Sequence, residues 1–226
     1  MLLFIFFLLA GPAAWAADLE VGILTTTGPK PLRQWSVPEL KKIARGGSVS
    51  AQDLIFEKST ETLDLNEKAD VDLITLYGKG GRISRVPRFM VWRGALRFRL
   101  ERDGSLASMA SFGPTMVPMD FFRVQGLEKI ELSRASVLYP GTRLSIRTNP
   151  AASRGEKMFT QACMACHSLG AAPKIEATLL NEDYLKDFAR KHSPTAGFVL
   201  DPRALRGLLA YREALASEKT GVKSPK

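Results

Sequence analysis

The chain has 226 residues, 45% of them hydrophobic and 24% charged, with a formal net charge of +9. That length suits one large domain or two small ones, and the excess is evenly spread, +5 over residues 17–148 and +4 over 149–226. Such a surplus favours acidic partners or anionic surfaces by long-range attraction, and without an aromatic-interleaved basic motif or reader helix it argues against nucleic acid.

The chain opens MLLFIFFLLAGPAAWAA. Leu2 to Ala10 is an unbroken apolar run, too short to span a bilayer and the right length for the core of a secretory signal. Ala14-Trp15-Ala16 supplies small residues for a signal peptidase, so residues 1–16 are expected to be a signal peptide cleaved before Ala17. No Lys or Arg precedes the run, which leaves an uncleaved anchor as the alternative. Either way an exported protein is expected, in the periplasm of a bacterium or otherwise outside the cytoplasm. No later apolar run approaches membrane length, so no transmembrane anchor is expected after cleavage.

Residues 17–148 follow as a mixed α/β domain dominated by strands. LEVGILTTT reads as a strand rich in β-branched residues. SVPELKKIARGG is a short helix with a capping box from Ser36 to Glu39 and glycines at its end. VDLITLYGKGGRI is two strands about a glycine-rich turn. In ALRFRLERDGSLASM, Leu96, Phe98 and Leu100 alternate with Arg97, Arg99 and Glu101, and Asp103-Gly104 signals a hairpin. LEKIELSR is the last strand, and TRLSIRTNP links onward. Arginines at 82, 85, 88, 93, 97, 99 and 102 face the single acid Glu101 in this stretch. They form either a docking face for an acidic partner, a phosphate or an anionic lipid, or the solvated side of a hairpin.

From residue 149 the pattern becomes helical. Asn149-Pro150 is a helix start, with Asn as N-cap and Pro at the first helical position, and Asp201-Pro202 repeats the device. Leu205, Leu208, Leu209, Arg212 and Leu215 form one stripe, apolar except at Arg212. Between the two helices, QACMACHSLG holds both cysteines of the chain, Cys163 and Cys166, and one of its two histidines, His167. A disulfide closing so short a loop removes little unfolded-state entropy. Zinc needs a fourth ligand, and the thioredoxin pattern does not call for the adjacent histidine. Cys-x-x-Cys-His is the attachment signature of c-type haem. Its two thiols add to the porphyrin vinyl groups, and the next residue supplies the proximal imidazole. One covalent haem c is therefore expected on Cys163 and Cys166, with His167 as axial iron ligand.

The segment NPAASRGEKMFTQACMACHSLG, followed by Pro173 and closing with ALRGLLAYREAL, resembles a class I cytochrome c over residues 149–216. The resemblance implies a small all-α cytochrome c domain at 149–218, followed by a basic tail at 219–226. In it Gly155 permits a close crossing of two helices near Phe159 and Tyr211, and the neighbourhood of Pro173 accepts the proximal imidazole N–H. Most members of that family place a methionine after the motif as sixth ligand, and here no methionine follows Met164. His192 stands in that place, after an expected helix from Asn181 to Lys191, and is assigned as distal iron ligand. The alternatives are a solvated His192 with five-coordinate iron, or a methionine from the first domain, Met116 or Met119.

The first domain weakly resembles the molybdopterin-binding fold of sulfite oxidase-like oxidoreductases, through the WSVPEL-type helix and the DLITLYGKGGRISRVPR segment. That family's metal-binding cysteine is missing, so the resemblance implies a domain without the metal chemistry. The expected fold class is α+β, a mixed strand-dominated N-terminal domain followed by a small all-α cytochrome c domain. The expected function is single-electron transfer between redox proteins, the partners acidic. The alternatives are the haem part of an oxidoreductase that binds substrate or pterin, and a haem-based small-ligand sensor. No paired catalytic acids, Ser/His/Asp set or phosphate loop is recognisable, so an electron carrier is favoured over an enzyme.

Overall fold

A computed structural model describes residues 18–92, 94–110, 122–145, 149–169, 174–187, 190 and 201–220, with backbone alone at Ala162, Cys166 and Lys219. The expected first strand is β1 (Leu19–Thr25), which pairs antiparallel with β2 (Gly28–Trp35). Helix α1 (Val37–Ile43) starts at Ser36, where Glu39 Oε2 accepts from the Ser36 backbone N–H at 2.9 Å and its hydroxyl at 2.7 Å. Those two bonds, the backbone one first, hold the Glu39 carboxyl below its ordinary range. A short β3 (Ser48–Ser50), a π-helix (Gln52–Ser59) and α2 (Leu65–Ala69) lead to β4 (Leu73–Gly78).

The turn from β4 to β5 (Ile83–Pro87) passes through Gly80 and Gly81, at φ of +72° and +76°. Only glycine adopts that backbone without strain. Helix α3 (Arg88–Trp92) then precedes β6 (Leu96–Leu100) and β7 (Leu106–Ala110), the expected hairpin. Leu96 and Phe98 point inward and Arg97 and Arg99 outward, as alternation requires. The last strand, β8 (Leu127–Ser133), leads to α4 (Ala135–Leu138).

All eight strands join one curled mixed sheet in the order β2-β1-β8-β7-β6-β3, with β4 also on β8 and β5 beyond it. The β1–β8 pair is parallel and the others are antiparallel. Ile74, Leu76, Val86, Ile130 and Leu132 share the face that buries the main core with Trp35, Leu54 and Phe98. The opposite face is polar along the aligned positions Arg85, Thr75 and Glu131. Burial there, reinforced by Glu131, pushes the Tyr77 hydroxyl up to about 12.

This architecture corrects the expected fold class. A strand-dominated domain followed by a separate small all-α cytochrome c domain is not what forms. Helical turns punctuate the sheet half, and the helices after residue 149 are joined to the sheet. The cause is a second face on the helical run that carries the Cys-x-x-Cys-His motif. Met164, inside that motif, packs on Leu73, Ala135 and Tyr139 at the end of the sheet as well as among the helices. Among the described residues no helix is long and apolar enough to cross a membrane.

Candidate functional site

Helix α5 (Pro150–Met158) begins where the Asn149 side chain accepts from the N–H groups of Ala151 and Ala152, at 2.9 and 3.3 Å. The helical run continues as a π-helical turn, Phe159–Cys163, and ends in α6 (Met164–His167). Helix α7 (Pro202–Thr220) crosses α5 and is capped by Asp201, whose Oδ1 accepts from Arg203 and Ala204 N–H at 2.7 Å each. At the crossing a Cβ on Gly155 would stand 2.0 Å from the Gly207 carbonyl oxygen and 2.7 Å from Tyr211 Cβ. Backbone cannot yield that space, so glycine is obligatory.

Phe159 and Tyr211 rings lie 5.7 Å apart beside the crossing, tilted by 41°. Tyr211 is fully buried and donates its hydroxyl to the Thr142 carbonyl at 2.6 Å. Burial, then the nearby Glu156, push its hydroxyl well above the ordinary value. In the α7 stripe Leu208 and Leu215 are buried, Leu205 and Leu209 are partly so, and Arg212 Nε donates to the Thr178 carbonyl at 3.3 Å.

Four residues apart on this run, Cys163 is 7% exposed and His167 is 8% exposed, with Ala165 between them at 0%. Cys163 belongs to the apolar cluster of Phe159, Ile175, Leu180, Leu185 and Tyr211. A buried thiol and a buried imidazole one helical turn apart are a donor set that suits a thioether-linked haem. Of Cys166 the backbone alone is described, within α6. His192, Pro173, Met116 and Met119 lie outside the described residues, as does the expected signal segment 1–16. The expected helix before His192 is seen over 182–187, capped by Asn181 Oδ1 accepting from Tyr184 N–H at 2.8 Å. A cavity of about 480 Å³ lies at the helix crossing, lined by Arg154, Met158, Asp201 and Arg203, and neither Cys163 nor His167 lines it.

Sequence reasoning missed the residues that tie this run to the sheet. Arg85 on β5 donates through Nη1 to Ser168 Oγ at 2.6 Å and to Tyr139 Oη at 3.0 Å. Those two hydroxyls are 2.9 Å apart, and Ser168 directly follows His167. Asp72 accepts from Gln161 Nε2 at 2.8 Å and, through its other oxygen, from Ala135 N–H at 3.0 Å. These partners are 63 to 89 residues apart in the chain, and no local pattern announces them.

The arginine cluster divides. Arg88 turns inward onto the Ala69 and Val71 carbonyls at 2.6 and 3.1 Å and stacks over Phe56 and Trp92. Arg99 pairs with Glu101 at 2.8 Å on the solvated side of the hairpin, beside the exposed Arg97. β5 and β6 are not neighbours in the sheet, so Arg85 and the hairpin arginines lie on separate strands. Compared with known protein families, curated proteins and solved structures, the chain matches none.

Proposed function

We propose that this chain is an exported c-type cytochrome that transfers single electrons, with one haem covalently attached through Cys163 and Cys166 and His167 as proximal ligand. The carrying observation is the burial of both Cys163 and His167 four residues apart on one helical run, Cys163 within an apolar cluster. Such a group, when bound, supplies a one-electron couple. The chain's own residues do the rest. The α5–α7 crossing fixes the run, the apolar cluster excludes water from the Cys163 thiol, and His167 is itself buried. The net charge of +9 supports acidic redox partners, drawn by attraction that salt weakens. His192 is assigned from the sequence to the second axial position.

Purified protein from a host with haem-maturation machinery is expected to carry one haem that survives denaturing electrophoresis. The double variant Cys163→Ala, Cys166→Ala is expected to lose it. Full-length protein isolated with a Cys163–Cys166 disulfide and no haem would overturn the reading. The optical spectrum tests His192: wild type is expected to be low-spin in both iron states. His192→Ala is expected to become high-spin and to take up carbon monoxide. A wild type that is already high-spin would return the chain to the small-ligand sensor class.

A further inference from the structure

The Arg85 guanidinium is held beside the residue that follows His167, and every partner it has among the described residues is neutral. Nη1 bonds the Ser168 and Tyr139 hydroxyls, and the guanidinium carbon sits 5.6 Å from the centre of the Tyr139 ring. Its Nε is buried with no partner, as is Oγ1 of Thr75, which faces Arg85 in the β4–β5 register. By contrast Arg88 meets the Ala69 and Val71 carbonyls, and Arg134 meets Asp70 at 3.1 Å. Arg85 thus brings a cation with no ion pair among the described residues, fastened to the sheet beside the motif turn.

We propose that Arg85 is a positioning and potential-setting residue for the site at His167: a fixed cation from the sheet that favours the reduced state. This rests on the haem reading above. Reduction removes one positive charge from the site, so a nearby cation stabilises the reduced form relative to the oxidised one. A unit charge fixed close to the site, in an effective dielectric of about 20, is expected to change that equilibrium roughly tenfold. Tyr139 and Ser168 hold the guanidinium in place and contribute no charge of their own. The donors come from a strand some eighty residues upstream of the motif, and this is the observation that gives the sheet a part in the electron-transfer chemistry.

The test is redox titration of the full-length protein, with covalent haem content measured on the same samples. Arg85→Gln is expected to lower the reduction potential by about 59 mV, the equivalent of a tenfold change for one electron. Arg85→Lys, which keeps the charge, is expected to restore most of that shift. Ser168→Asp, which sets a carboxylate against the guanidinium without removing it, is expected to lower the potential as Arg85→Gln does. It supplies the comparison should Arg85→Gln fail to fold. Full haem content with equal potentials in wild type, Arg85→Gln and Ser168→Asp overturns the inference alone. Equal shifts in Arg85→Gln and Arg85→Lys also overturn it, because the effect would then be packing and not charge. A wild type without covalent haem overturns the parent reading and this inference with it.

Discussion

The core under the sheet and the core around the motif helices are built from different materials. Under the sheet, strand alternation delivers Ile74, Leu76, Val86, Ile130 and Leu132 to one face, and Trp35, Leu54 and Phe98 complete it. Every one of those positions serves packing. Around the motif, Phe159, Leu208, Tyr211 and Leu215 supply a thinner core, and two buried positions are given to Cys163 and His167. The helices compensate by close backbone approach at Gly155 and by polar ties to the sheet through Arg85 and Asp72. The lesson is that the sheet closes chiefly on its own apolar side chains, with buried hydrogen bonds such as Trp35 to Ser59 within it, whereas the helices lean on a partner, and a small core needs such a staple.

The sharpest way to break this comparison is a pair of substitutions read by hydrogen exchange on the full chain. Phe98→Ala is expected to cost about 3–5 kcal/mol and to release protection in the strands. Gly155→Val places side-chain atoms on the Gly207 backbone and is expected to cost about 3 kcal/mol or more. Its loss of protection should be confined to α5, α6 and α7. Uniform loss in both variants would mean that the two cores unfold as one unit.

A smaller effect is expected where the regions are tied. Asp72→Ala leaves the Gln161 amide and the Ala135 N–H without their acceptor and is expected to cost about 1–3 kcal/mol in denaturant titration. No change in midpoint would mean that the tie contributes nothing to holding the run against the sheet.

The smallest effect is a pH dependence that touches both regions. Tyr77 on the sheet and Tyr211 in the helices both have hydroxyls raised above the ordinary value of 10.0, chiefly by burial. The folded state therefore holds protons that the unfolded state releases first. The stability tied to them is complete below pH 10 and declines as pH rises through about 12, where Tyr77 ionises in the fold. Thermal melts between pH 9 and 12 are expected to show this decline, and Tyr211→Phe should reduce it. A melting temperature flat over that range would contradict the prediction.

Much of the strand content could be read from the chain because side-chain alternation is local. β1, β4, β5, β6 and β8 stand where the pattern put them, and the Gly80–Gly81 turn and the Ser36 and Asn149 caps follow from neighbouring residues. β2 was not legible: Pro29 and Pro31 interrupt its pattern, and proline is tolerated there because the strand lies on the sheet edge. The π-helix from Gln52 to Ser59 was likewise silent. At the site, Cys163, Cys166 and His167 were visible as a motif, since the chemistry they suit depends on residues within one helical turn.

The Asp201 cap also came from residue type and spacing, which suffice wherever partners are one turn apart, whereas the crossing at Gly155 was expected only through the resemblance to class I cytochromes c. Tertiary structure alone decided which face of the motif run meets the sheet, and so removed the separate all-α domain. Met164 looks like a spacer between two cysteines until Leu73, Ala135 and Tyr139 are brought against it. Arg85 looks like one arginine among seven until β5 sets it beside Ser168. The physical reason is loop closure: contacts between residues more than sixty positions apart form only once the intervening chain is ordered, so no short-range pattern encodes them.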